Sequence, residues 1–243
     1  MISKHRKTPR AVYYLLCAAV LAIGVGLIFL TDKTVTVMHE RAPYSGNFCV
    51  ILDAGHGGVD GGAVSCTGAY ESHINLQITL RVEDMMHLMG IQTKMIRKED
   101  ISVYTSGETI AAKKSSDLKE RARVVNETEN GVLLSIHQNH YADSRFSGGQ
   151  MFYCSDDFSR ELANALQTGF REYLDPFNRR NAKEVSRLYL MRNIEKPGVL
   201  IECGFLSNPQ EESKLRDEAY QKQIACVIGA VCSSFFAQEA TLS

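Results

Sequence analysis

Four residues spread along the chain have side chains that could bind a metal ion and move a proton: His56, Glu71, His137 and Glu202. A catalytic zinc ion takes three protein ligands from histidine and acidic side chains and keeps a fourth position open. A carboxylate outside the ligand set can then transfer the proton of a water molecule. The chain has no HExxH motif, so separate elements must bring these groups together. On chemistry alone, Asp53 and Asp60 compete with Glu71 for the third ligand position.

Three apolar segments end at these candidate residues. Val50–Ala54 runs into the Gly-rich turn Gly55–Gly58, and Val132–Asn139 and Val199–Phe205 have the same form. Nearly continuous apolar runs are typical of strands that are buried on both faces. Open α/β sheets bind their ligands at the carboxyl ends of the strands. We therefore expect the two histidines and the glutamate at these strand ends to meet at one edge of a parallel sheet.

Helical periodicity and turn residues complete an α/β pattern. Apolar residues after Tyr70 recur every three or four positions, which predicts a helix that ends near Gly90. The same reasoning predicts further helices at 117–126 (capped by Ser116 or Asp117), 158–174, from Asn208-Pro209 onward and 219–236, strands at 91–97, 150–154 and 188–192, and loops at 98–115 and 175–187. Alternating strands and helices predict a sheet covered by helices on both faces, with at least two parallel crossovers.

The N-terminal region has the pattern of a membrane anchor. Residues 1–10 include four basic side chains, and residues 11–30 have no charge. An apolar helix of this length can span a bilayer, and the basic flank predicts a cytoplasmic N-terminus. We predict a basic cytoplasmic segment at 1–10, an uncleaved signal-anchor transmembrane helix at 11–30, a linker at 31–47 and a folded extracytoplasmic domain at 48–238. The alternative is a cleaved signal peptide and a secreted protein, although no clear small-x-small cleavage site follows the apolar run.

Charge and cysteine content narrow the possible functions. The net charge of −1 gives no electrostatic basis for binding nucleic acid. The seven cysteines form no CxxC pair or even framework, so we interpret them as thiols.

The candidate residues belong to motifs that follow one another in a distinctive order. These are Asp53–Gly58, Glu71, Ser135–Asn139 and Ile201–Asn208, with Asp117–Arg121, Leu188–Asn193 and Pro197 between them. Together they resemble the zinc-dependent N-acetylmuramoyl-L-alanine amidases of the type-3 amidase family, over about residues 48 to 236. The resemblance implies a three-layer α/β/α fold with a mixed, mostly parallel sheet. It also implies Zn²⁺ as the cofactor.

The resemblance further implies a role for each site residue. His56, Glu71 and His137 would be the zinc ligands and Glu202 the catalytic carboxylate. Asp53 and Asn139 would orient the ligands, and Arg192 would lie at the ligands or the substrate. Cys203 is expected to be a core residue rather than a nucleophile. His73, His87 and His140 are expected to lie on the surface or around the ligands.

The substrate implied is peptidoglycan, and the bond is the amide between the muramic acid lactyl group and the L-alanine of the stem peptide. Similarity to the germination-specific amidases of spore formers suggests a role in spore cortex, where muramic δ-lactam is made. A partner or activator protein is expected for the same reason. Two alternatives stay open: a membrane-tethered peptidoglycan-binding or regulatory protein without catalysis, and a zinc peptidase that cuts within the stem peptide.

Overall fold

A computed structural model describes residues 48–185 and 187–242 of the chain. The predicted basic segment, transmembrane helix and linker all lie outside the described residues. In chain order the elements are β1 (Cys49–Ala54), α1 (Glu71–Leu88), β2 (Gln92–Met95), α2 (Ile110–Glu127), β3 (Gly131–Asn139), β4 (Gln150–Tyr153), α3 (Asp157–Tyr173), β5 (Lys183–Glu184), α4 (Tyr189–Asn193), β6 (Gly198–Phe205), α5 (Pro209–Arg216) and α6 (Glu218–Leu242).

These strands form one six-stranded sheet in the order β2-β1-β3-β6-β4-β5. Strand β1 pairs in parallel with β2 and β3, and β3 pairs in parallel with β6. Strand β4 is antiparallel to β6 and parallel to β5. The predicted mixed, mostly parallel sheet is therefore confirmed, and the carboxyl ends of β1, β3 and β6 lie side by side.

Two layers of helices cover this sheet. Alternate strand residues face opposite sides, and both faces carry apolar side chains that the helices bury. Val50, Leu134 and Ile201 point to the larger core, which also contains the apolar residues of α1, α3 and α6. Leu133 and Leu200 point to the smaller core, which is closed by α2 and α4. The three-layer α/β/α architecture follows from burial on both faces of the central strands.

The smaller core becomes polar toward the carboxyl ends of the strands. Continuing the alternation along β1, β3, β6 and β4 places polar side chains on the α2 side of the sheet: Asp53, Ser135, His137, Glu202 and Gln150. His137 pairs with Glu202 in the register of β3 and β6, and Glu202 pairs with Gln150 across β6 and β4. The sheet therefore aligns these polar groups across neighbouring strands.

Three predictions about elements are wrong: the start and cap of one helix, one strand, and the loop at 175–187, which contains strand β5. Helix α2 begins at Ile110, and the Thr109 side chain, rather than Ser116 or Asp117, caps it by accepting a hydrogen bond from the Ala112 amide. Its first two turns begin with the exposed apolar residues 110–112 and continue with polar ones, so no buried apolar face repeats through them. Residues 188–192 were predicted as a strand, but Tyr189–Asn193 is a short helix. A short run of alternating apolar residues does not separate these two states.

The last two helices agree with their sequence signals. The Asn208 side chain caps α5 by accepting hydrogen bonds from the Gln210 and Glu211 amides, and Pro209 occupies the first turn. Within the described part of the chain, one helical segment, Glu218–Thr241, is long and apolar enough to cross a membrane. Its apolar residues, among them Ile224, Ile228 and Phe236, belong to the larger core. Their burial explains the apolar composition of this helix without a bilayer.

Candidate metal centre

His56 lies in the turn that follows β1, where the backbone is unusual. His56, Gly57 and Gly58 all have positive φ, at 61°, 133° and 58°. Such a conformation is strained for a residue with a side chain and requires support from its surroundings. The Arg121 guanidinium gives that support by donating through Nη2 to the His56 carbonyl at 2.7 Å. The turn thus directs the imidazole ring back over the sheet edge.

The two ring nitrogens of His56 face different carboxylates. Nδ1 lies 2.9 Å from Asp60 Oδ2, and Nε2 lies 3.3 Å from Glu71 Oε2. The Lys114 ammonium lies 2.9 Å from the same Asp60 oxygen. Asp60 therefore orients the ring and leaves Nε2 available for a ligand. Burial alone would lower the pKa of His56, but Asp60 and Glu71 raise it to about 9.

Glu71 is the first residue of α1 and is almost fully buried. Its Oε1 atom accepts hydrogen bonds from Asn75 Nδ2 at 3.1 Å and from the Gln138 amide at 3.2 Å, while Oε2 accepts from the Ala63 amide at 2.9 Å. Burial alone would raise the pKa of Glu71, but the adjacent His137 and His56 rings outweigh it and hold that pKa well below its usual range. The carboxylate is therefore fixed in position and charged.

His137 completes a compact group of donors. Its Nδ1 atom lies 3.0 Å from Glu71 Oε1, and the two imidazole rings are 5.0 Å apart in an edge-to-face arrangement. One donor atom from each of His56, Glu71 and His137 lies within 4.8 Å of the others. Two nitrogens and one carboxylate oxygen form the donor set that catalytic zinc prefers.

The backbone passes very close to two of the donor side chains. A Cβ atom on Gly55 would come within 2.2 Å of His137 Nε2, and one on Gly62 within 2.6 Å of Glu71 Oε2. Both positions need glycine because the donor atoms approach the main chain so closely. This cradle, together with the raised pKa of His56 beside a charged carboxylate, fits a site for a cation.

Glu202 lies next to the cluster. Glu202 lies on β6 and pairs with His137 on the neighbouring strand β3. The residue is partly exposed at the sheet edge. The Oε2 atom is nevertheless buried and has no hydrogen-bond partner among the described residues. Burial raises the pKa of Glu202 to about 7. A carboxylate with a free oxygen and a pKa near neutrality is suited to accept and donate a proton.

Asp53 supports the turn through Arg121 rather than through a ligand side chain. Its carboxylate is paired with the Arg121 guanidinium and accepts a hydrogen bond from Ser135 Oγ at 2.6 Å. Burial alone would raise the pKa of Asp53, but Arg121 and Ser135 hold it below its usual range. Arg121 also bonds Asp117 and the Ala54 carbonyl. Arg121 was absent from the predicted site, although it ends the Asp117–Arg121 motif.

Two other predicted residues, Asn139 and Arg192, form no hydrogen bond or ion pair with the cluster within the described residues. The Asn139 carbonyl accepts from the Leu206 amide at 2.8 Å, which fixes the end of β3, and no hydrogen bond of its side chain occurs within the described range. Arg192 lies on α4 and lines a cleft of about 540 Å³ with Cys154 and Pro197. Because Pro197 precedes β6, this cleft is at the amino edge of that strand, and Arg192 is not brought to the cluster.

The remaining histidines lie on the surface and Cys203 lies in the core, as predicted for residues without a catalytic role. His73 is exposed and lies 2.9 Å from Asp100, and His87 and His140 are also exposed. Cys203 is buried in the larger core, and burial raises the pKa of its thiol. A protonated, buried thiol is a poor nucleophile. The six cysteines in the described ranges are all free thiols.

Fold and site together define a class of protein: a three-layer α/β/α domain with a His–Glu–His cluster and an adjacent glutamate at the carboxyl edge of its parallel strands. The chain belongs to the N-acetylmuramoyl-L-alanine amidase family, whose sequence model matches residues 50–231. It is accordingly an amidase that acts on peptidoglycan, and the predicted family is confirmed.

Individual relatives agree with this assignment. The germination-specific N-acetylmuramoyl-L-alanine amidase of Bacillus subtilis (strain 168) is 37% identical over 188 residues, which are 76% of this chain and 78% of the relative. Among solved structures, the CwlD amidase from Clostridioides difficile in complex with the GerS lipoprotein is 34% identical with a TM-score of 0.75, over 81% of this chain and 100% of the other. A crystal structure of an N-acetylmuramoyl-L-alanine amidase from Clostridium difficile 630 is 33% identical with a TM-score of 0.68, over 79% and 97%.

Proposed function

We propose that this amidase is zinc-dependent and cleaves the amide between the lactyl group of N-acetylmuramic acid and the L-alanine of the stem peptide. His56, Glu71 and His137 are the proposed ligands of Zn²⁺, and Glu202 is the proposed catalytic carboxylate. The supporting observation is the convergence of the three donor atoms within 4.8 Å of one another, beside a glutamate with an unpartnered buried oxygen.

Each group has a defined task in this proposal. When bound, zinc supplies Lewis-acid chemistry that polarises an amide carbonyl and makes water more acidic. Glu202 accepts a proton from water as the water oxygen attacks the lactyl carbonyl carbon. It then donates that proton to the alanine nitrogen as the carbon–nitrogen bond breaks. The products are a lactyl carboxyl group and a stem peptide with a free amine.

The test measures metal and product on the same preparation. The full-length chain is assayed for bound metal and then incubated with purified peptidoglycan, and stem peptides with a free L-alanine amine are detected by mass spectrometry. We expect about one zinc per chain and release that a chelator abolishes. Glu202→Gln should keep zinc and lose release, while Glu184→Gln on the exposed strand β5 should keep both. Near-normal turnover by Glu202→Gln would show that another group moves the proton.

The same products separate the alternative activities. A zinc peptidase that cuts within the stem peptide would leave the lactyl–alanine amide intact and expose a different amine. A purely binding or regulatory protein would release nothing. The presence of all three donor residues and of Glu202 in one site argues against that second alternative.

We also propose an extracytoplasmic catalytic domain with an N-terminal membrane anchor. Support comes from the basic residues at 1–10 followed by the uncharged residues 11–30, and from a substrate that lies outside the cytoplasm. Protease treatment of intact protoplasts should degrade the domain, and the protein should sediment with membranes. A domain that stays protected until the cells are lysed would contradict this orientation.

The biological setting proposed is the spore cortex. Support comes from the name of the Bacillus subtilis relative, a germination-specific amidase. Spores without this protein should lack muramic δ-lactam in their cortex, whereas unchanged lactam content would favour a general wall amidase. A lipoprotein partner is proposed as well, because the related CwlD amidase was solved in complex with the GerS lipoprotein. Co-purification of the full-length chain from sporulating cells tests this association.

A further inference from the structure

Arg180 lies at the end of the polar row that contains His137 and Glu202. Gln150 is the strand neighbour of Glu202 on β4, and directly opposite residues of an antiparallel pair have side chains on the same face. Arg180 Nη1 donates to Gln150 Oε1 at 3.1 Å. The guanidinium is therefore separated from the candidate catalytic glutamate by one glutamine side chain.

Arg180 lies in the loop between α3 and β5 and is held by hydrogen bonds of both its main chain and its side chain. Its amide donates to Asn178 Oδ1 at 2.9 Å, and its carbonyl accepts from Arg171 Nη2 at 2.7 Å. Its Nε atom donates to the Ser147 carbonyl at 2.7 Å. These bonds fix the guanidinium before any ligand arrives, which lowers the entropic cost of binding one.

The charge of Arg180 is left without an ionic partner in the described part of the chain. Its bonded acceptors are a carbonyl and an amide oxygen, which are neutral. Glu211 is the carboxylate whose charge acts on it, but the oxygens of Glu211 accept from the Gly148 and Phe205 amides at 2.8 Å each. Its Nη2 atom has no protein acceptor within the residues described.

Aromatic rings surround the guanidinium on its other side. The Arg180 carbon Cζ lies 4.5 Å from the ring centre of Phe205 and 5.9 Å from that of Phe146, and Phe146 packs edge-to-face against the exposed Tyr141. Apolar neighbours exclude water and strengthen the attraction between a cation and an anion. Arg180 is still partly exposed, so an anion from outside can reach it.

From this placement we propose that Arg180 is a specificity-determining residue that binds a stem-peptide carboxylate just beyond the scissile amide. This rests on the proposed function, because it takes the scissile amide to lie between the donor cluster and Glu202. Strands β3 and β4 are two strand spacings apart, about 10 Å, and an extended residue spans about 3.5 Å. The first carboxylate after L-alanine, that of the following glutamate, lies within this range. A planar guanidinium suits such a carboxylate.

Two synthetic substrates that differ in one group test the proposal. One is N-acetylmuramoyl-L-alanyl-D-glutamate with its γ-carboxyl group capped as an amide, and the other is the same compound with the α-carboxylate also replaced by an amide. The full-length protein should prefer the acid by about 10- to 100-fold in kcat/KM, the range for a hydrogen bond between charged groups. Arg180→Gln should reduce this preference to near unity, because kcat/KM for the acid substrate falls to about the value for the amide substrate.

Matched variants separate recognition from a structural role. Arg179→Gln removes an adjacent exposed arginine and should keep the full preference. Arg180→Lys keeps the charge but loses the forked geometry, so it should retain only part of the preference and shows the effect even if Arg180→Gln unfolds. An equal fall in kcat/KM for both substrates in every Arg180 variant would show a purely structural role and overturn the proposal.

Assays of the unchanged protein distinguish the role of Arg180 from the proposed amidase function. Release of L-alanyl stem peptides from peptidoglycan without any preference for the acid substrate would overturn the role of Arg180 alone. Failure to cleave peptidoglycan and both synthetic substrates, with zinc bound, would overturn the proposed function and this inference together.

Discussion

Arg121 offers the sharpest test of how the fold supports the site. Its side chain and that of Asp53 are 2% and 1% exposed, and the two are ion-paired. Replacing Arg121 by methionine keeps most of the apolar volume but leaves the Asp53 carboxylate buried with only Ser135 as a hydrogen-bond donor. It also removes the Arg121 bond to the His56 carbonyl. A single substitution at a residue outside the donor cluster therefore both unpairs Asp53 and weakens the support of the His56 turn.

The magnitude follows from the cost of an uncompensated buried charge. Removal of one partner of a buried ion pair destabilises a protein by about 3–5 kcal/mol. In a domain of this size each kcal/mol lowers Tm by about 2–4 °C, so Arg121→Met should lower Tm by about 6–20 °C. Asp53→Asn in the same chain removes the orphaned charge. The double variant should therefore be more stable than the sum of the two single changes predicts.

Thermal unfolding of the metal-free protein measures this change in Tm, since bound metal would add its own stabilisation. Arg123→Met is the matched control on the same helix, because Arg123 is about half exposed and pairs with Glu120 and Glu127 at the surface. Exposed pairs contribute little, so its midpoint should stay near that of the unchanged protein. An Arg121→Met midpoint equal to that of Arg123→Met would refute the reasoning.

Three further predictions concern the metal and the proton. Gly62→Ala should reduce zinc affinity by about tenfold or more, because the new Cβ atom would meet Oε2 of the proposed ligand Glu71. Gly68→Ala, also at positive φ but with no atom within 4 Å, should not; equal losses would contradict a steric cause. Asp60→Asn should weaken zinc binding about 10- to 100-fold while Asp143→Asn, at an exposed ion pair, leaves it unchanged, as isothermal titration can show. A base must be deprotonated, and burial raises the pKa of Glu202 to about 7, so activity should fall about tenfold per pH unit below that value at constant zinc content. A flat profile from about pH 5 to about pH 8 would exclude Glu202 as the base.

The sheet and the site edge could be predicted because they depend on strong, local signals. Apolar runs that end in a Gly-rich turn or on a polar residue specify buried strands and their carboxyl edge, and the structure has β1, β3 and β6 where these runs lie. The Asn208-Pro209 pair is also a strong local signal, because a capping Asn followed by Pro indicates the start of a helix. These features need no knowledge of what the chain contacts elsewhere.

Supporting residues could not be predicted in the same way, because their roles depend on tertiary partners. Arg180 stands in a charged loop, where arginine is ordinary, and only its approach to Gln150 gives it significance. The first turns of α2 bury no apolar side chain, so hydrophobic periodicity predicts no helix there. Arg192 appeared in a family-like motif, but the short helix α4 places it at the amino edge of β6.

The parallel pairing of β1 with β3 has a consequence for the order of events during folding. These strands become neighbours only after the chain between them, with α1, β2 and α2, has closed into a long loop, and such non-local pairing forms slowly. His56 and His137 lie at the ends of these two strands, so the unfolded chain has no preformed ion site. Zinc would then bind an already folded domain. It should lengthen the lifetime of that domain by slowing unfolding, with little effect on the rate at which the domain first forms.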